Sequence, residues 1–196
     1  MAFIQNSNLS EAGDVDLMFP GDRFPVIAGP DLLASGWRGG LFVQYVTGGD
    51  DFTVEGSDGN SVAGFLLFQA ERYEPLIPGS NGVSPNQVVG SPENWISSQF
   101  RAGVGGQNVA TMVCGGTRAF FKAFETVALT GGGTRTGGPI TYTLNEPLKV
   151  SENGLLCNDS DGNLAAAGVT TPSVVGIVCA VPSARNGDRL CMDMKY

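Results

Sequence analysis

Ile140-Thr141-Tyr142-Thr143-Leu144 alternates apolar and polar residues, the pattern of a strand whose successive side chains fall on opposite faces. Pro147-Leu148-Lys149-Val150 continues it, and Glu152-Asn153-Gly154 then interrupts it with Asn-Gly, the strongest short signal for a hairpin turn. The chain returns through Leu155-Leu156-Cys157-Asn158 and turns again at Ser160-Asp161-Gly162-Asn163. Val174-Val175-Gly176-Ile177-Val178-Cys179-Ala180-Val181 is an unbroken run of strand length, as expected of a buried strand. Arg185-Asn186-Gly187-Asp188 turns once more before Arg189-Leu190-Cys191-Met192-Asp193-Met194. Residues 109–196 therefore read as a small antiparallel β-barrel or sandwich domain.

Upstream the reading is similar but less regular. Val109-Ala110-Thr111-Met112-Val113-Cys114 is a strand ending at Gly115-Gly116. Arg118 to Leu129 places Phe120 and Phe124 at helical spacing, yet its aromatic content favours a strand. Thr130 to Gly138 reads as a flexible glycine-rich loop. Residues 19–108 form a β-rich, acidic domain with strands at Phe24–Ala28, Leu32–Ala34, Leu41–Thr47, Phe52–Glu55 and Ser61–Gln69. Within it, residues 74–108 are a long Pro/Gly connection that holds one short helix or strand at Trp95–Phe100; loops of that length are usually functional or interfacial. Residues 1–18 read as an N-terminal arm with an apolar tip. The fold class is all-β and mainly antiparallel. The halves also share a pattern: Pro25, then Leu32-Leu33-Ala34, then Val62-Ala63-Gly64-Phe65-Leu66-Leu67, against Pro147, then Leu155-Leu156-Cys157, then Val174-Val175-Gly176-Ile177-Val178-Cys179. Short apolar patterns recur by chance in β proteins, so this leaves open whether the halves are related domains.

Composition bears on function. The chain has no histidine, the commonest general base and metal ligand. Ser-His-Asp and Cys-His constellations are therefore excluded, and so are His-based zinc sites. Charged residues are 15% of the chain, against roughly 25% in an ordinary soluble domain. The net charge of −8 is uneven: residues 1–100 hold twelve acids and three bases, residues 101–196 seven acids and eight bases. An acidic chain without a basic stripe is poorly suited to nucleic acid. No secretory leader is recognisable at Met1–Asn6, and no apolar run reaches the roughly 18 residues of a membrane span. Synthesis in a cytoplasm and a soluble, non-membrane protein are the expectation. Cys114, Cys157, Cys179 and Cys191 lack close CxxC spacing and sit among apolar residues; they read as buried free thiols.

Two chemical readings are set aside and a third is left open. Gly103-Val104-Gly105-Gly106 and Gly131-Gly132-Gly133 lack the strand–loop–helix context of a phosphate cradle. Asn158-Asp159-Ser160-Asp161-Gly162-Asn163 alternates oxygen donors as a calcium loop does, but Leu164-Ala165-Ala166-Ala167 follows where a closing glutamate belongs. An Asx-rich turn is the simpler reading. A carboxylate pair for glycan hydrolysis depends on spatial separation and is not decided by sequence. No catalytic, cofactor-binding or metal-ligating residue is assigned, and no cofactor is expected.

From Tyr142-Thr143-Leu144 through Val174-Val175-Gly176-Ile177-Val178 to Pro182–Leu190, the chain resembles the small β domains of tailed-bacteriophage capsid decoration (cement) proteins. Shared features are an opening strand, a turn with Gly-Leu-Leu, a Val-Gly-Ile-Val strand and a late Gly-Asp turn before the last strand. The resemblance implies a non-catalytic virion protein on the outer capsid surface, cementing neighbouring major capsid subunits and self-associating, with a homotrimer favoured. The apolar arm residues Phe3, Ile4 and Leu9 are then the expected capsid contacts. Another phage structural part (tail, fibre or baseplate), a generic β binding module and a carboxylate-based hydrolase are the alternatives.

Overall fold

The computed structural model describes residues 15–18, 21–35, 39–48, 52–67 and 109–194. Phe3, Ile4 and Leu9, and the 74–108 connection with Trp95–Phe100, lie outside the described residues.

Strand β1 (Val15–Leu17) opens the order. Strand β2 (Asp22–Ala28) follows, then a short helix α1 (Pro30–Ser35), β3 (Phe42–Tyr45), β4 (Thr53–Gly56), β5 (Gly64–Leu66) and β6 (Val109–Gly115). Strands β2 to β6 close a barrel in the order β2-β4-β3-β5-β6, with β2 and β4 parallel and the other pairs antiparallel. The second lobe holds β7 (Arg118–Phe121), β8 (Val127–Thr130), β9 (Thr134–Pro139), β10 (Pro147–Val150), β11 (Leu156–Cys157), helices α2 (Asp159–Gly162) and α3 (Leu164–Ala167), β12 (Gly176–Ala180) and β13 (Leu190–Met194). Its sheet runs β1-β7-β13-β12-β10-β11, and β8 pairs with β9 as a separate hairpin. The fold is all-β, but residues 140–146 lie between β9 and β10 outside any strand, not in the strand that the alternation at 140–144 predicts: Thr141 N–H and Thr143 N–H donate to the side chains of Asp161 and Glu146 instead of to a neighbouring strand.

The two lobes are wound alike. In the first, Gly64 pairs with Val43, Phe65 with Val113 and Leu66 with Met112. In the second, Gly176 pairs with Leu148, Ile177 with Asp193 and Val178 with Met192. Flanking backbone bonds repeat too: Ala63 N–H donates to Val43 O and Val175 N–H to Leu148 O, both at 2.8 Å. The parallel β2–β4 contact has its counterpart in the parallel bridge Phe124–Leu156, which links the chain just after β7 to β11. Beyond each contact, Gly29 N–H donates to Val54 O and Glu125 N–H to Leu156 O, again both at 2.8 Å.

One core joins the lobes. Phe42 and Phe65 of the barrel meet Phe121 of the second sheet, with ring centroids 5.8 and 5.0 Å from it. Val113, Leu148, Val150, Leu156, Val178, Leu190 and Met192 belong to the same cluster, all fully buried. The β10–β11 turn docks on β3, where Phe42 N–H donates to Gly154 O at 2.8 Å. Gly154 has φ +71°, and a Cβ there would stand 2.9 Å from Phe42 O, so this junction requires glycine.

The structure corrects four further readings. The lobes do not divide at residue 108, because β6 supplies the strand that closes the first barrel between β2 and β5. Residues 15–17, read as arm, are the edge strand β1, antiparallel to β7. Leu32 belongs to α1 rather than to a strand: Pro30 suits a first helical position, and Glu55 of β4 accepts hydrogen bonds from Asp31 N–H and Leu32 N–H, both at 3.0 Å. Residues 130–138 are ordered into the β8–β9 hairpin instead of a flexible loop.

Candidate functional site

The strongest polar constellation of the second lobe is built around Glu125. It follows the Phe124 bridge, and its side chain is fully buried. Burying a carboxylate is costly unless it is paired and hydrogen-bonded. Arg135 of β9 provides Nε at 2.6 Å and Nη2 at 3.1 Å, a two-pronged ion pair. Ser151 Oγ and Asn153 Nδ2 each donate to Oε1 at 2.9 Å. The Tyr142 hydroxyl donates to the Glu125 carbonyl at 2.5 Å, and burial raises that hydroxyl's pKa above its ordinary value. Each Glu125 oxygen is thus engaged by neighbouring donors, and the group fastens the β8–β9 hairpin to the β10–β11 turn. This arrangement suits an anchor; a general base needs a lone pair aimed at a substrate.

The oxygen-rich stretch 158–163 is likewise consumed locally. Asn158 caps α2, its Oδ1 accepting from Asp161 N–H and Gly162 N–H, both at 3.1 Å. Lys149 Nζ reaches Asp159 Oδ2 at 2.6 Å, Ser160 Oγ donates to Glu146, and Thr141 N–H donates to Asp161 Oδ2. The Asx-rich turn is therefore a helix cap.

The first lobe offers a different surface. Phe24, Tyr45 and Phe52 are 48%, 51% and 57% exposed. Phe24 stands on β2, Tyr45 on β3, and Phe52 just before β4, the strand that lies between those two. Phe52 O accepts from Ile27 N–H, and Tyr45 pairs with Val54, so Tyr45 and Phe52 share the β3–β4 end of the barrel. Half-exposed aromatics in a chain this poor in charge are the composition of a contact surface. Sequence reading placed all three on strands, but strand alternation does not say which face a barrel turns inward. The contacts expected of Phe3, Ile4 and Leu9 fall outside the described residues.

The four thiols separate by environment. Cys157 is buried, and burial pushes its pKa up to about 12, with Glu125 adding to the shift. Cys114 is half-buried on β6, with its Sγ near Asp22 O. Cys179 and Cys191 stand side by side, Sγ to Sγ 2.9 Å, a proximity that their sequence spacing does not reveal. Among the described residues no group of three or more Cys, Asp and Glu side chains is arranged to hold a metal ion. No helix among them is long and apolar enough to cross a membrane. No family model matches the chain, and no curated protein matches it.

Proposed function

We propose that this chain is a non-catalytic structural protein of a virus particle, a cement subunit on the outside of a phage capsid. Its partner in this reading is the major capsid protein, and it acts as a homo-oligomer, with a trimer favoured. The observation that carries the proposal is the set of half-exposed aromatics of the first barrel: Phe24 on β2, Tyr45 on β3, and Phe52 just before the β4 strand between them. Such side chains supply the large, rigid contact area that dominates protein interfaces. Two further features support it. The Glu125 carboxylate is taken up by structural donors, and β1 joins the second sheet as an added edge strand, the mode by which extended segments clamp a β surface.

The test is sedimentation of the protein with expanded empty capsids. The wild-type chain is expected to pellet with the shells at saturating stoichiometry. A Phe24→Ser/Tyr45→Ser/Phe52→Ser variant is expected to remain in the supernatant while keeping its circular dichroism. Failure of the wild-type chain to co-sediment overturns the cement reading. Binding that survives the triple replacement removes these aromatics from it. Deleting residues 2–14 probes the arm separately and leaves β1 in place.

A further inference from the structure

Strands β12 and β13 pair antiparallel, but the register slips between Val178–Met192 and Ala180–Cys191. Cys179 and Ala180 together oppose Cys191, which is a β-bulge. The bulge leaves Cys179 Sγ 2.9 Å from Cys191 Sγ. Paired strands lie about 4.8 Å apart, inside the roughly 4.4–6.8 Å Cα separation that a disulfide spans. Closing the bond therefore needs side-chain rotation and not movement of a strand. The equivalent places in the first lobe, by the matched register, are Leu67 and Thr111, where Leu67 N–H simply donates to Thr111 O at 3.0 Å. The thiol pair is thus an addition peculiar to the second lobe.

Access to the two sulfurs differs. Cys179 is half-buried, whereas Cys191 is 1% exposed. Arg118 of β7 pairs with Asp193 at 2.6 Å, and its positive charge acts on both sulfurs, favouring the thiolate of Cys191. Burial works the other way on Cys191 and, with the neighbouring Cys179, pushes it up to about 12. The half-buried Cys179 is therefore the one a reagent meets, and the buried Cys191 is the one held ready behind it.

We propose that Cys179 and Cys191 are an oxidisable dithiol site, which a small-molecule disulfide such as oxidised glutathione converts into an intramolecular bond between β12 and β13. The Cys179 thiolate attacks one glutathione sulfur, forming a mixed disulfide and expelling one glutathione thiolate, which takes up the proton Cys179 lost. The Cys191 thiolate then attacks Cys179 Sγ, expelling the second glutathione, which takes the proton from Cys191. The protein loses two electrons and two protons, and one glutathione disulfide becomes two thiols. The site stays open in a reducing cytoplasm and closes in oxidising surroundings. This inference stands on the thiol geometry and is independent of the capsid reading.

The experiment treats the folded full-length chain with oxidised glutathione, then maps peptides without reduction. The expected result is loss of two of the four thiols, one peptide linking Cys179 to Cys191, an unchanged sedimentation coefficient, and a urea midpoint that rises on oxidation and falls back with dithiothreitol. A Cys191→Ser variant is expected to accumulate stable glutathione on Cys179, and Cys179→Ser to leave Cys191 unmodified. A persistent glutathione adduct on wild-type Cys179, a bond to Cys114 or Cys157, or no reaction until the chain is unfolded overturns the proposal. If the Cys191 variant does not fold, a Cys114→Ser chain gives the same peptide map with the other half-buried thiol removed.

Discussion

Glu125 illustrates how one buried charge is made tolerable. Three side chains, one from β9 and two from the β10–β11 turn, converge on its carboxylate, and removing it leaves all three without that acceptor. Breaking a buried ion pair costs about 3–5 kcal/mol, but Arg135 is 47% exposed on its side chain and can turn to water. Glu125→Ala is accordingly expected to lower stability by about 3 kcal/mol, read as a fall in urea midpoint with an unchanged m-value. Glu125→Gln keeps an acceptor for Ser151 and Asn153 and should recover part of that loss. None of this was legible in the sequence. Glu125 sits in an apolar run, Arg135 in a glycine-rich one, and their pairing depends on a hairpin that the fastening itself orders. The exposed aromatics were legible as strand residues only; which face each barrel strand turns to water is decided by closure, a long-range event.

At the scale of elements, the glycines of β5 and β12 say most about the paired lobes. A Cβ on Gly64 would stand 2.8 Å from Met112 Cγ and press on Val113 O; one on Gly176 would stand 2.6 Å from Met192 Cγ and press on Asp193 O. Both positions thus face a methionine side chain and the carbonyl of the residue after it. Gly64→Ala and Gly176→Ala are expected to destabilise by similar amounts, about 1–3 kcal/mol each as overpacking does, measured by thermal melting of the two single variants. Widely different losses would show the packing to be unlike despite the shared register. The Val-x-Gly pattern at 62–64 and 174–176 was visible in the sequence because strand, glycine and neighbour are local. The accompanying Leu-Leu match was misleading: Leu32 lies in α1, whose first N–H groups are capped by Glu55 from a distant strand, while Leu156 lies in β11. The real counterpart of β11 is β4, as the two parallel contacts indicate.

At the scale of the molecule, the lobes are fused through Phe42, Phe65 and Phe121. Deleting a buried phenylalanine costs about 3–5 kcal/mol. Phe121→Ala is expected to cost that much and to be felt in both lobes, since two of the ring's contacts belong to the first. Hydrogen exchange provides the check: amides of Phe65 and Leu190 should lose protection together, whereas a change confined to the second lobe would mean that the lobes open separately. The strands and turns from Pro147 onward were readable because the turns carry Asn-Gly, Asx and Gly-Asp signals, whereas the alternation at 140–144 misled because those backbone N–H groups bond to side chains. The boundary between lobes was not, because the strand that closes the first barrel comes from beyond a long intervening segment.

Strand β1 sits against β7 although the whole first barrel lies between them in sequence. During synthesis, therefore, the earliest described strand leaves the ribosome long before its partner exists. The barrel of β2 to β6 gains its last strand once Gly115 has emerged, yet Phe42 and Phe65 stay uncovered until Phe121 arrives. Pairings so distant along the chain are slow to form, and the half-made molecule carries bare aromatic surface meanwhile. The same wrapping that makes β1 an edge in the finished protein makes it a late closure in assembly, and a nascent chain stalled near residue 115 would present that surface to its neighbours.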